Sequence, residues 1–497
     1  MLFKLSKWLH KYLGLTFFLI LIFMSATGIL INHPSLIANF SVPVGILGKS
    51  YEYSNWNRFL MRDGLVLSDE SIVIGGKNGV FFNKNTGLSV ESMNDGLPES
   101  LFLRDTRCLL AVGEGDNLRL FAGTRGGLFY KNINDKKWQP ALLEGKTNEI
   151  VDLVLAGNKI MAFAPYGYFS APVDAKNPVF NYAPINIQTK EKNLPAFRLL
   201  LELHSGKILG LSGRIFIDII SMILIFLCVS AIYLWYIPWS RRKFRFAAQK
   251  NQIFGFMYRY HLKLGVWSAI FLFLIAFTGI FVRPPFNEFI DFWKVPAFWI
   301  HHGSSEIHKA VVLDDGYLLI ASRGGWFKVD SSFKETFLDI NPPFTVVGMG
   351  VSVLKKLEGN RLVTGSFTGL YIWDLDGGAV EDISGKKNEK KLSPRQSGIM
   401  AASALVNNGE LTGYADYRKG FTGYKNDKIK LAEPDGLSKN NMSMYHFLFE
   451  LHNGRFLRDL MGKSYIFFIP VVGFVFLLIV VTGVYDWCRR KRGLVKK

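Results

Sequence analysis

The sequence predicts a membrane protein with four transmembrane α-helices, built as two parallel helix–domain–helix repeats, with two large β-rich, propeller-like external domains. Three observations predict it: four long apolar runs, basic residues gathered beside alternate ends of those runs, and an internal duplication.

The 497 residues are 49% hydrophobic yet 20% charged, the mixture expected when membrane segments are joined to water-soluble ones. The apolar runs are Leu13 to Ile31, Ile215 to Tyr236, Leu264 to Val282 and Tyr465 to Tyr485. Each has the roughly 20 residues that a helix needs to cross about 30 Å of hydrocarbon. Asp218 lies near one end of the second run, within reach of the interface. The first run, which follows a basic start and ends in Ser25-Ala26-Thr27-Gly28, imitates a secretory signal. The third run repeats its pattern deep inside the chain, so a retained helix is expected.

Orientation follows from the positive charges. Lys4, Lys7 and Lys11 precede the first run; Arg241, Arg242, Lys243, Arg245, Lys250 and Arg259 join the second and third; Arg489, Arg490, Lys491, Arg492, Lys496 and Lys497 follow the fourth. These segments hold almost no acid and supply most of the net charge of +19. Short basic segments stay in the cytoplasm, which puts both termini inside. Membrane lipid, not nucleic acid, then accounts for the high pI.

The expected division has residues 1–33 as the cytoplasmic N-terminus and first helix, and 34–203 as the first periplasmic β-rich domain. Residues 204–240 form an interfacial segment and the second helix, 241–260 a basic cytoplasmic loop, and 261–283 the third helix. Residues 284–451 form the second periplasmic domain, 452–488 an interfacial segment and the fourth helix, and 489–497 a basic tail.

The duplication is explicit. KWLHKYLGL enters the first helix and YRYHLKLGV the third, so His10 matches His261; Thr27-Gly28-Ile29 matches Thr278-Gly279-Ile280 at the same offset. LLLELHSGK precedes the second helix and FLFELHNGR the fourth, so His204 matches His452 and Gly206 matches Gly454. The helix exits Ser230-Ala231 and Thr482-Gly483 also correspond. These small-residue pairs suit close helix crossings.

Both external segments repeat one phrase, a strand, then glycine, then an aromatic strand, near Gly79, Gly127 and Gly167 and again near Gly325, Gly369 and Gly423. The spacing suits propeller blades, either shared between the halves or kept in two separate β-domains. Only Cys108 lies in these segments, since Cys228 is in an apolar run and Cys488 follows one; no disulfide joins them internally.

Four of the nine histidines belong to the repeat. Symmetry brings His10 to His261 and His204 to His452, one pair near each membrane face. Neutral imidazole is a common axial ligand of haem iron, and helix bundles build such sites from facing helices. Two b haems are expected, held without covalent attachment because no Cys-x-x-Cys-His occurs. Arg214 and Lys463, at the external ends of the second and fourth helices, are candidates to pair with propionates, Lys463 more simply as an interfacial anchor. His33 is a spare candidate for the outer site. His446, which aligns with Arg198, and His301, His302 and His308 have no matched partner, and a surface role is expected for the cluster of three.

The motifs KWLHKYLGL and LHSGKILGLSGR, with the exit toward LW followed by basic residues, resemble the PepSY-associated transmembrane family. That family includes inner-membrane ferric reductases serving siderophore uptake. The resemblance covers the helices and their flanks. It implies haem b, a bacterial inner-membrane location and electron transfer to a periplasmic ferric acceptor, with His10, His261, His204 and His452 on the family-like motifs. The external segments depart from it, being longer than small PepSY units. About 25 residues join the second and third helices, and no Gly-x-Gly-x-x-Gly opens a nucleotide domain there. The donor is therefore expected to be separate: a flavin reductase, reduced flavin or quinol. Two other readings stay open, a haem-bearing anchor subunit of an external redox complex and a membrane sensor without redox chemistry.

Overall fold

The computed structural model describes residues 2–84, 89–145, 147–185, 193–244, 252–290, 293–296, 306–335, 337–344, 350–384, 398–425, 431–434 and 441–491. The chain divides into two compact units. One is built from Met1–Ile37, Lys192–His301 and Tyr445–Lys497, the other from Ala38–Glu191 and His302–Met444.

The first unit is helical. Its main elements are α1 (Leu2–Asn32), α2 (Ala196–Ser205), α3 (Gly210–Phe244), α4 (Gln252–Phe281), α5 (Met444–His452) and α6 (Phe468–Lys491). Among these, α1, α3, α4 and α6 belong to the four stretches long and apolar enough to cross a membrane. Large apolar side chains such as Leu19, Ile219, Trp267 and Leu478 stay exposed on them, as expected of helices whose outer faces meet lipid. Each long helix packs on two others: α1 on α3 and α6, and α4 on the same two. Leu21, Ile220, Leu224, Leu272, Ala276, Val472 and Phe476 fill the space between them. Gly473 allows α4 and α6 to approach closely, because a Cβ there would lie 2.5 Å from Ile280 Cγ1.

The two short helices exist because of glycine. Gly206 and Gly454 adopt φ of +73° and +68°, the left-handed conformation that ends a helix and that side chains with a Cβ disfavour. They stop α2 and α5 just after His204 and His452, so these histidines sit on separate short helices ahead of α3 and α6. Each short helix carries a buried glutamate neutralised nearby: Glu202 lies 3.4 Å from Arg198, and Glu450 lies 3.2 Å from Arg455.

The second unit is a set of sheets. Six of them, of three to five strands, have as one edge strand β1 (Asp63–Val66), β2 (Thr106–Val112), β3 (Asp152–Ala156), β4 (Ile307–Val312), β5 (Val353–Lys356) and β6 (Ala401–Asn407), respectively. The glycine–aromatic phrase falls where the second strand of a sheet turns into the third, as at Gly79, where φ is +103°. Strand β1 packs on β2, β2 on β3, β3 on β4, β4 on β5, β5 on β6, and β6 back on β1. All six line a cavity of about 200 Å³.

Of the two arrangements the sequence leaves open for the external segments, they form one compact unit, to which each segment contributes three sheets. The join between the first and last sheets is physical. Asn55 Nδ2 donates to the carbonyls of Lys419 and Phe421, both at 3.0 Å, and Trp56, fully buried, donates from Nε1 to the Ala432 carbonyl at 3.0 Å.

Candidate functional site

The helical unit brings the repeated histidines together in twos. His10 on α1 faces His261 on α4 with ring centroids 6.4 Å apart. His204 on α2 faces His452 on α5, also at 6.4 Å. The pairs sit at opposite ends of the bundle. His452 packs against Thr27 of α1, 17 residues and so about 26 Å along that helix from His10.

Each ring is oriented by one of its nitrogens. His10 Nδ1 lies 2.9 Å from the Ile479 carbonyl, an oxygen that only accepts, so Nδ1 carries the proton. His261 Nδ1 lies 2.8 Å from Ser230 Oγ. That hydroxyl already donates to the Leu227 carbonyl at 3.0 Å and therefore accepts from the imidazole. The same logic applies to His204, 3.1 Å from Thr278 Oγ1, and to His452, 2.9 Å from Thr27 Oγ1. Those threonines donate to the carbonyls of Leu274 and Phe23 at 2.7 and 2.8 Å. All four rings are thus Nδ1-protonated, which leaves the Nε2 lone pair available as a ligand. Burial pushes the His204 imidazole below its usual range and, with the nearby His204 and Arg283 adding to it, His452 down to about 3, so both are neutral.

Glycines admit the rings. A Cβ on Gly483 would lie 2.8 Å from His10 Cε1, one on Gly279 3.1 Å from His204 Cε1, and one on Gly28 3.4 Å from His452 Cε1. Sequence reasoning assigned these Thr-Gly and Ser-Ala pairs to helix packing alone. The same hydroxyl–glycine step stands opposite a histidine in both halves, Thr27-Gly28 at His452 and Thr278-Gly279 at His204, but nothing in the sequence distinguishes a ring from a helix as its partner.

The donor geometry fits haem. Two imidazoles gripping one metal ion from opposite sides, each nitrogen about 2 Å from it, hold their centroids about 6 Å apart. Among the described residues no group of three or more His, Cys, Asp or Glu could hold a bare ion, whereas two axial imidazoles suffice when a macrocycle supplies the remaining donors. Arg214, in the first turns of α3, has a buried Nε without a partner, a free donor for an anionic group. Lys463 is exposed.

The remaining histidines lie elsewhere. His33 Nε2 is 2.5 Å from Asp218 Oδ2, and Asn32 Nδ2 donates to Asp218 Oδ1 at 3.3 Å. The acid in the second apolar run is thereby hydrogen-bonded, and His33 is engaged with it. His446 lies 3.9 Å from Glu450, as Arg198 lies beside Glu202. His308 packs against Gly350 on β4, while His301 and His302 lie outside the described residues.

A bundle of four apolar helices carrying an oriented imidazole pair at each end defines a polytopic membrane protein of the histidine-paired kind. The family model of the PepSY-associated TM region matches residues 151–312, a stretch that contains α2, α3 and α4 with His204, Arg214 and His261. No curated protein matches the chain. Among solved structures the chain is similar to the extracellular domain of the hybrid two component system BT4673 from B. thetaiotaomicron, at 12% identity and a TM-score of 0.37, covering 76% of this chain and 33% of that one. It is also similar to PorZ, a surface component of the type-IX secretion system of Porphyromonas gingivalis, at 11% identity and a TM-score of 0.35, covering 73% and 38%. The chain spans about a third of the length of these two structures, and likeness at this level carries no functional argument.

Proposed function

We propose that this chain is a transmembrane electron carrier holding two b haems, one between His10 and His261 and one between His204 and His452, and that it reduces a ferric, siderophore-type acceptor on the outer side of a bacterial inner membrane. The observation that carries the reading is the pairing of four Nδ1-protonated imidazoles at 6.4 Å at both ends of one bundle. Haem b, when bound, supplies a one-electron ferric/ferrous couple at each site.

The chain's own residues do the rest. Ser230, Thr27, Thr278 and the Ile479 carbonyl fix the tautomer and aim of each ligand. Arg214 offers its Nε to a propionate of the outer group. Apolar packing around Leu21, Leu224, Leu272 and Phe476 separates the sites and excludes water between them. The two halves are read as a parallel duplication, with both termini and the basic segments in the cytoplasm. The six sheets are read as the blades of one propeller in the periplasm, a surface for the acceptor or a redox partner. Electrons come from a separate flavin reductase, reduced flavin or quinol.

The test uses the full chain in liposomes, with a ferric chelate on one side and a reduced flavin on the other. Ferrous iron is expected to appear with the wild type and not with His10→Ala or His452→Ala. Equal rates in all three would overturn the reading.

A further inference from the structure

A groove of about 460 Å³ runs along the outward face of α4, beside α6. Tyr258, Arg259, Leu262, Lys263 and Trp267 line it from α4, and Trp487 from α6. These α4 positions recur every three to four residues and form one stripe. The stripe has a polarity gradient, from Tyr258 and Arg259 at one end to Trp267 about 13 Å further along the helix. Arg490 donates to the Tyr258 hydroxyl at 3.0 Å, and the Lys491 ammonium lies 5.0 Å from the Trp487 ring, so the polar end gains two further cations.

Arg259 and Lys263 are both exposed, and among the described residues neither has a hydrogen bond or ion pair. No acid is among the described residues that line the groove. Trp267 is 76% exposed, on a helix apolar enough to lie in hydrocarbon. Two exposed cations, unpaired among the described residues, at the rim of an outward-facing stripe call for a membrane-borne anion. A hydroquinone suits the groove poorly, because its oxidation releases two protons and the described residues of the lining offer neither carboxylate nor imidazole to take them.

We infer that this groove is a binding site for an anionic phospholipid, with the headgroup phosphate on Arg259 and Lys263 and an acyl chain along Leu262 and Trp267. It stands independently of the haem reading, since it uses none of the paired histidines.

Native mass spectrometry of the full chain in mild detergent, titrated with phosphatidylglycerol or phosphatidylcholine, tests it. Phosphatidylglycerol is expected to be retained about tenfold more tightly, as two surface cations allow. The double variant R259Q/K263Q is expected to lose that preference, and R259K/K263R, which keeps both charges, to retain it. Equal retention of the two lipids, or a preference unchanged in R259Q/K263Q, would overturn the inference. So would displacement of phosphatidylglycerol by flavin mononucleotide or inorganic phosphate at matched concentration, which would assign the cations to a soluble phosphate. A colourless preparation that still prefers phosphatidylglycerol would count against the haem reading and leave this one intact.

Discussion

Each paired imidazole is held by an oxygen on a different helix from its own, so the ligand geometry is a property of packing and not of any one segment. Ser230 is the clearest case. It is fully buried and meets His261 at 2.8 Å. Ser230→Ala is expected to weaken haem retention at that site by about 10–100-fold, read as faster haem loss to an excess of apo-globin, with the other site unchanged. The glycines grade the same way. Gly483→Ala puts a Cβ 2.8 Å from the His10 ring and is expected to cost the chain one of its two haems, whereas Gly28→Ala, at 3.4 Å from His452, is expected to be tolerated. Visible spectra of the two variants make the comparison. The pairing of the histidines was legible in the sequence because each stood in a duplicated motif, His10 and His261 at an offset of 251 residues and His204 and His452 at 248. Their hydroxyl partners were not, because a Thr-Gly step on an apolar helix looks the same whether it receives another helix or a ring.

Among the elements, helices were the more legible. Four apolar runs bounded by basic residues leave little choice in lipid, where backbone groups must be satisfied internally. The short helices α2 and α5 were visible only as the His-x-Gly phrase, whose glycines turned out to take positive φ. The sheets were foreseen from glycine–aromatic repeats, but the sequence left open whether they share one unit, because the join depends on contacts between residues about 360 apart in sequence, such as Asn55 with Lys419 and Phe421. Trp56 sits at that join without solvent exposure. Trp56→Ala is expected to destabilise the sheet unit by about 3–5 kcal/mol, seen as a lowered thermal midpoint in circular dichroism of the β signal. A midpoint unchanged within error would mean that the first and last sheets are held together some other way.

For the molecule as a whole, charge sets the response to pH. In the sheet unit, burial pushes the Asp105 carboxyl up, but Arg62 at 2.7 Å, Arg125 at 3.5 Å and Arg107 outweigh it and hold the group well below the usual carboxylate range. A carboxyl depressed on folding contributes stability above its unfolded pKa of about 4 and loses it as pH falls further. The thermal midpoint is therefore expected to hold from about pH 8 to 5 and to drop below about pH 4. Asp105→Asn is expected to lower the midpoint at neutral pH and to shrink the acid drop. The account as a whole rests on two metal-binding imidazole pairs in one bundle, and the haem-to-chain ratio of the purified protein tests that most directly. The expected result is two haems per chain, falling to one in His261→Ala and to one in His204→Ala, with low-spin b-type spectra throughout. A well-folded chain that carries no haem, or one whose haem content ignores both substitutions, would contradict it.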